Sequence, residues 1–239
     1  MSRSNRLLMI AARAPIPGET KTRLGRAIGM EQAARLYRAF LVDLAARFTG
    51  DGEYDVAWTH SPPEADFAAI HADLCGGVRP GALFVPQEGP DWGTRQANLL
   101  RWGVDHGYAH TILIASDSPH LGGETIDAAF AVLERADVAI GRVQDGGYYL
   151  IGLNRFADIL SGVAMSTSSA ADGVVLRAGQ LGLRVAEVPA TFDIDEASDL
   201  SLLVAALAPG GDAAPATWRT LAALGLRDGE RVVIPETTS

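Results

Sequence analysis

Residues with the chemistry to hold a phosphorylated ligand recur along this sequence, each beside a glycine or at the end of an apolar run. Cations come first: Arg13, then Lys21 and Arg23 inside PIPGETKTRL (15–24). Carboxylates follow, with Asp117 in ASDSP, Asp145 in QDGGYY, and Asp193 and Asp195 in FDIDEASDL. Lysine and arginine neutralise phosphate oxygens, and glycine lets backbone amides approach them. Carboxylates hold Mg²⁺ or Mn²⁺ while leaving the ion most of its shell for water and phosphate. The combination suits a nucleotide diphosphate bound through a divalent cation. Two other phosphate loops are missing, since neither G-x-x-x-x-G-K-[ST] nor G-x-G-x-x-G follows the first apolar run. Nucleophilic catalysis has little support: the five histidines are scattered, no G-x-S-x-G is present, and no cysteine-histidine arrangement is suggested.

Each feature also has a plainer explanation. A surface Pro-Gly turn with solvated charges accounts for PIPGETKTRL on spacing alone. Asp117 could cap the helix that follows it, although a carboxylate straight after the most apolar run, before Ser-Pro, favours a site. Asp-Gly-Gly is explained by a hairpin turn. Asp193 and Asp195 fall on one side of an extended segment, while Asp195 could equally cap a helix starting at Glu196.

The elements that must position these residues can be read from the pattern. RLLMIAA (6–12) is a buried strand ending in a loop, and 30–48 places Ala33, Tyr37, Phe40, Leu41, Leu44 and Phe48 on one helical stripe. Strands over 54–60, 82–87 and 110–116 then alternate with helices over 62–74, with proline in the first turn, 94–107 and 124–136. Alternation of this kind predicts parallel strands covered by helices on both faces. Strands over 137–143 and 148–153 are separated only by QDGG, too short for a helical crossover, so an antiparallel or strongly bent element is expected there. A helix around 170–181, a strand over 183–189 and a helix over 196–207 complete one domain, 1–207. Residues 208–239 read as linker (208–216), short helix and polar tail. Ligands bind outside the carboxyl ends of strands in open α/β sheets, and that is where the cations and carboxylates fall.

The totals agree. With 239 residues, 48% hydrophobic and 21% charged, the chain is globular and a disordered protein is excluded. A net charge of −9 works against nucleic acid or anionic membranes as partners, so any anion site must be local. The lone Cys75 has no metal-ligand spacing around it. LLMIAA is too short for a signal peptide and no run approaches a membrane span, which makes a soluble cytoplasmic protein the simplest expectation.

Taken together and in order, AARAPIPGETKTRLG, PQEGPDWGTR, LIASDSPHL, GRVQDGGYYLIGL and FDIDEASDL resemble the motifs of a bacterial glycosyltransferase-A-like family, DUF2064, some of whose members are linked to arsenosugar biosynthesis. The resemblance reaches about Leu207. It implies the nucleotide-diphosphosugar transferase (GT-A, Rossmann-like) fold, a three-layer αβα arrangement with a mixed, mostly parallel sheet of about seven strands.

It also implies roles. Lys21 and Arg23 look like phosphate-binding cations, with Ala12, Arg13 and Ser116 on the same nucleotide side, and Arg13 stands where many relatives have lysine. Asp117 matches a metal-binding aspartate at the end of the central strand, and Asp195 matches a second carboxylate, with Asp193 beside it. Gly93 and Thr94 resemble a turn at the base or ribose. Gly146, Gly147 and Tyr148 resemble the lining of a sugar or acceptor pocket, where Asp145 is the candidate acceptor base. Met165-Ser166-Thr167-Ser168 departs from relatives that carry tryptophan before the Ser-Thr pair, and Ala115 stands where they favour glycine.

The resulting expectation is an Mg²⁺- or Mn²⁺-dependent enzyme that takes a nucleotide sugar and transfers the glycosyl group to a small-molecule acceptor. The alternatives are nucleotidyl transfer from an NTP to a phosphorylated acceptor, and a non-catalytic nucleotide-binding module.

Overall fold

Alternation along strand β1 (Arg6–Arg13) divides the molecule into its layers. Successive side chains of a strand leave opposite faces of the sheet. Leu8, Ile10 and Ala12 therefore enter one hydrophobic core, and Leu7 and Met9 the other. Strand β4 (His110–Ala115) splits in the same way, Ile112 and Ile114 against Leu113. An apolar run buried on both faces is what a central strand of a covered sheet requires.

The computed structural model describes residues 4–51 and 53–234. The remaining strands of the main sheet are β2 (Asp55–Ser61), β3 (Leu83–Pro86), β5 (Val138–Val143), β6 (Tyr148–Leu153) and β7 (Val185–Thr191). Their order is β3-β2-β1-β4-β6-β5-β7. All neighbours pair in parallel except β6, which runs antiparallel to both β4 and β5. The four residues QDGG could turn the chain but not carry it across the sheet, as expected.

Helices α1 (Thr22–Ile28), α2 (Met30–Arg47), α3 (Phe67–Cys75), α5 (Gly123–Leu133), α7 (Asp199–Leu207) and α8 (Pro215–Ala223) contribute to the core on one face. Helices α4 (Trp92–Asp105) and α6 (Ala170–Gln180) cover the other. The result is the expected three-layer αβα architecture with a mixed, mostly parallel sheet. Among the described residues no helix is long and apolar enough to cross a membrane.

Several local expectations change. The loop after β1 contains a seven-residue helix, α1, whose Leu24 and Ile28 are buried. Helix α3 starts at Phe67 under an Asp66 cap, so the prolines at 62 and 63 precede it rather than occupying its first turn. Strand β7 begins two residues later than its hydrophobic pattern suggested and extends to Thr191. Residues 208–216, linker-like in composition, are packed: Ala214 is fully buried, and a Cβ on Gly211 would collide with Trp218. Trp218 and Leu221 of α8, with Leu226 beyond it, belong to the same core as α2. Beyond α8 the chain forms a hairpin, β8 (Arg227–Asp228) and β9 (Arg231–Val232), and the end of the expected polar tail lies outside the described residues.

Candidate functional site

Four segments that leave the sheet at its carboxyl-terminal rim build one cleft of about 580 Å³. They are the loop after β1, the Ser116-Asp117 turn after β4, the β5–β6 turn, and the stretch 193–195 after β7. The neighbours β1 and β4 bring Ala12 and Arg13 beside Ser116 and Asp117. Thr20 fixes the start of the first loop by donating its hydroxyl to the Ala14 carbonyl at 2.6 Å.

Lys21 is the centre of the site. Its Nζ lies 2.6 Å from Asp117 Oδ1 and 2.8 Å from Asp195 Oδ1, and its side chain is only 6% exposed. Burial by itself would release the proton. The two carboxylates override burial and hold the ammonium above its ordinary range. Asp195 is pulled in opposite directions too: burial raises it, but Lys21, with Arg23 further off, keeps it below the usual carboxylate range. Asp195 therefore caps no helix, because α7 starts only at Asp199 and its own Asp199 carboxylate accepts the N–H groups of Asp195 and Glu196. Asp117 caps none either, since α5 begins at Gly123.

Asp193 has the opposite environment. Burial, then the charges of Asp195, Asp145 and Asp117, push its pKa up to about 6. Lys21 offsets Asp117 and Asp195, but among the described residues no cation pairs with Asp193 itself, which is the electrostatic setting a further cation would relieve. The donor set is all oxygen, the type Mg²⁺ and Mn²⁺ take. Among the described residues no three His, Cys, Asp or Glu side chains form a closed metal cage, so an ion here would draw further ligands from water or phosphate.

Arg13 and Arg23 are exposed on the cleft and, among the described residues, neither closes an ion pair. On the opposite wall Gly93 and Thr94 form the first turn of α4 and are not cleft-lining residues. Thr94 gives both its N–H and its hydroxyl to Asp91, at 2.8 and 2.9 Å, and a Cβ on Gly93 would press on Met165. Their neighbours Trp92, Arg95 and Gln96 line the cleft in their place.

In the β5–β6 turn Asp145 is exposed and accepts the Gly147 N–H at 2.9 Å. Gly146 adopts φ +90°, and a Cβ there would collide with the Ser168 carbonyl, so the turn and the 165–168 segment meet only because this residue is glycine. Tyr148 Oη accepts from Gln96 at 2.9 Å and faces Met165 Sδ, and burial raises its pKa to about 12.

The cleft thus gathers Ala12, Arg13, Lys21, Arg23, Ser116, Asp117, Asp145, Gly147, Tyr148, Asp193 and Asp195. Sequence reasoning missed Tyr37 and Gln96 as site residues, and within the DWGTR turn it pointed to Gly93 and Thr94 rather than to Trp92 and Arg95. Tyr37 looked like one more residue of a helical stripe. Trp92 and Arg95 flank the Gly-Thr pair in DWGTR, and the helical period starting there would have turned them and Gln96 toward the sheet rim.

Sheet order and rim chemistry together define the nucleotide-diphospho-sugar transferase class of fold. A protein of Desulfovibrio desulfuricans G20, provisionally described as a nucleotide-diphospho-sugar transferase, has a crystal structure that matches at TM-score 0.82 and 29% identity, covering 92% of this chain and 96% of that one. Residues 43–167, more than half of the chain, match the family described as an uncharacterized protein conserved in bacteria, DUF2064, and the chain belongs to that family. More distant structures share the fold alone. The 4-diphosphocytidyl-2C-methyl-D-erythritol synthase of Anaerococcus prevotii DSM 20548 matches at TM-score 0.57 and 10% identity, covering 85% of this chain and 96% of its own. A cytidylyltransferase of Leptospira borgpetersenii serovar Hardjo-bovis matches at 0.53 and 12%, covering 93% and 94%. No curated protein sequence matches the chain.

Proposed function

We propose that this protein is a transferase that binds a nucleotide sugar in the rim cleft and passes the glycosyl group to a small-molecule acceptor. The observation that carries the reading is a pair of cations, Arg13 and Arg23, unpaired among the described residues, that line one cleft with the carboxylates Asp117, Asp193 and Asp195 in an otherwise acidic protein. Similarity to the Desulfovibrio protein supports it.

In the reaction the bond between the anomeric carbon and the diphosphate oxygen breaks, and an acceptor oxygen bonds to that carbon. The acceptor proton passes to a carboxylate, for which Asp145, exposed in the cleft lining, is the candidate. Arg13 and Arg23 would hold the nucleoside diphosphate as its charge grows on leaving. Mg²⁺ or Mn²⁺, held by Asp117 and Asp195 with Asp193 beside them, would neutralise the same diphosphate. Base or ribose would lie toward the first turn of α4, with Gly93 and Thr94 shaping it, and the sugar or acceptor toward Gly146, Gly147 and Tyr148. The cytoplasm is the proposed location, because exposed Cys75 is a free thiol suited to a reducing compartment.

One observation favours a second reading. A fourth cation, Arg95, lines the same cleft beside Arg13, Lys21 and Arg23, and the added charge could serve the longer phosphate chain of an NTP, with a phosphorylated acceptor attacking the α-phosphate and pyrophosphate leaving. Products separate the two. Incubation with nucleotide sugars and NTPs in the presence of Mn²⁺ and a metabolite extract should release nucleoside diphosphate from a nucleotide sugar. Pyrophosphate from an NTP would establish nucleotidyl transfer instead, and release of neither would overturn both. Replacement of Asp117 by alanine should abolish Mn²⁺-dependent binding of the nucleotide sugar; unchanged binding would overturn the metal assignment.

A further inference from the structure

Lys21 is the sole lysine in a chain whose Lys and Arg residues number 20. The other 19 are arginine. The exception occupies a position where the difference matters. Arginine presents a fixed planar fork that locks onto a carboxylate in two-point contact, whereas an ammonium is a compact point charge on a flexible stem that can change partners.

The backbone also singles this residue out. Lys21 sits at φ 52° and ψ 43°, a left-handed conformation that disfavours any residue with a Cβ, directly before α1. Its side chain supplies no helix cap. It runs across the cleft floor instead, to Asp117 on the β4 turn and Asp195 after β7. The same two carboxylates are the ones assigned to a divalent cation.

We propose that Lys21 is the resident counter-ion of the Asp117–Asp195 pair, and that a divalent cation enters the pair only as an incoming diphosphate draws the ammonium away. This inference rests on the nucleotide-and-metal reading of the cleft and assigns the order in which the two ligands can be held. An ammonium already bound to one oxygen of each carboxylate repels a second cation from them. Moving it with no new partner would leave a buried charge unpaired, which is strongly unfavourable. A phosphate oxygen in the same cleft removes that penalty, and Arg13 and Arg23 at the rim can hold the rest of the diphosphate. Metal and nucleotide then assist each other's binding reciprocally, through one side chain with two positions.

A single lysine makes the test direct. Protein labelled with ¹³C and ¹⁵N in lysine alone gives one ammonium and one ε-methylene resonance, and both report where Lys21 sits. Mg²⁺ alone should leave them unchanged, and Mg²⁺ with the matching member of a set of nucleoside diphosphates should shift them. In calorimetry Lys21→Met should bind Mn²⁺ without nucleotide at least tenfold more tightly than the wild type, while Lys21→Arg should bind it no more tightly. Circular dichroism checks that the variants fold, and the resonance test needs no variant. Displacement by Mg²⁺ alone, or a resonance that stays fixed while calorimetry registers the metal-nucleotide complex, would overturn the exchange and leave the nucleotide reading intact. No calorimetric binding under any condition would overturn both.

Discussion

Tyr37 Oη and Ser116 Oγ stand 2.7 Å apart, joining helix α2 to the end of β4 directly beneath the cleft. Donor counting orders the contacts. Ser116 gives its proton to the Ala11 carbonyl at 2.7 Å, so Tyr37 must donate to Ser116, and Tyr37 in turn accepts the Arg13 N–H at 3.0 Å. Burial, then the charge of Asp117, raises the tyrosine to about 12, so the hydroxyl stays protonated at any physiological pH. Tyr37→Phe leaves Arg13 N–H without its acceptor and Ser116 without its donor. The expected cost is about 1–3 kcal/mol, and thermal unfolding should fall by about 2–4 °C per kcal/mol. An unchanged melting temperature would show that the chain of contacts is dispensable.

Arg23 carries a prediction that separates binding from stability. Its side chain is exposed and closes no ion pair among the described residues, so Arg23→Ala should leave the melting temperature within about 1 °C. Nucleoside diphosphate affinity should fall about 10- to 100-fold, the value of a charge-assisted phosphate contact. Calorimetric titration measures it, and equal affinity in the variant would remove Arg23 from the phosphate site.

Asp193 makes stability depend on pH in a direction unusual for a carboxylate. Its folded pKa, about 6, lies above the ordinary 3.8, so the folded protein binds this proton more tightly than the unfolded chain. The group therefore imposes no penalty below about pH 4, an increasing one as pH rises toward 6, and a constant one above that. Asp193→Asn, assayed in chelator, should raise stability above pH 6 by on the order of 1 kcal/mol after solvent screening. The gain should vanish below pH 4. A gain independent of pH would mean that charge crowding at this residue is not its cause.

The C-terminal segment depends on one buried carboxylate. Asp43 of α2 is 3% exposed and accepts the N–H groups of Ala216 and Thr217 at 2.8 and 2.7 Å, capping α8 from another helix. Asp43→Ala should cost about 1–2 kcal/mol, the usual value of a lost cap. Amide exchange in α8 should accelerate more than in the central strands. Truncation after Leu207 should be more damaging, since it removes Trp218, Leu221 and Leu226 from the main core.

Fold class was legible because it depends on local pattern. Short apolar runs alternating with amphipathic helices required a covered, mostly parallel sheet, and the brevity of QDGG forced the one antiparallel strand. The rim position of Arg13, Lys21, Asp117 and Asp195 followed from where each strand ends. Helix α1 escaped because seven residues behind a Pro-Gly turn carry too little periodicity to register, and the packing of 208–216 escaped because glycine and alanine look alike in a linker and in a tight contact. Composition and order of residues determined the sheet, the rim and the kinds of charge found there. Only the tertiary structure decided that Lys21 spans Asp117 and Asp195 and that Asp193 is left crowded and uncompensated. Pairing among charges more than 90 positions apart is set by a few ångströms of separation and by burial, and neither is written in the local sequence.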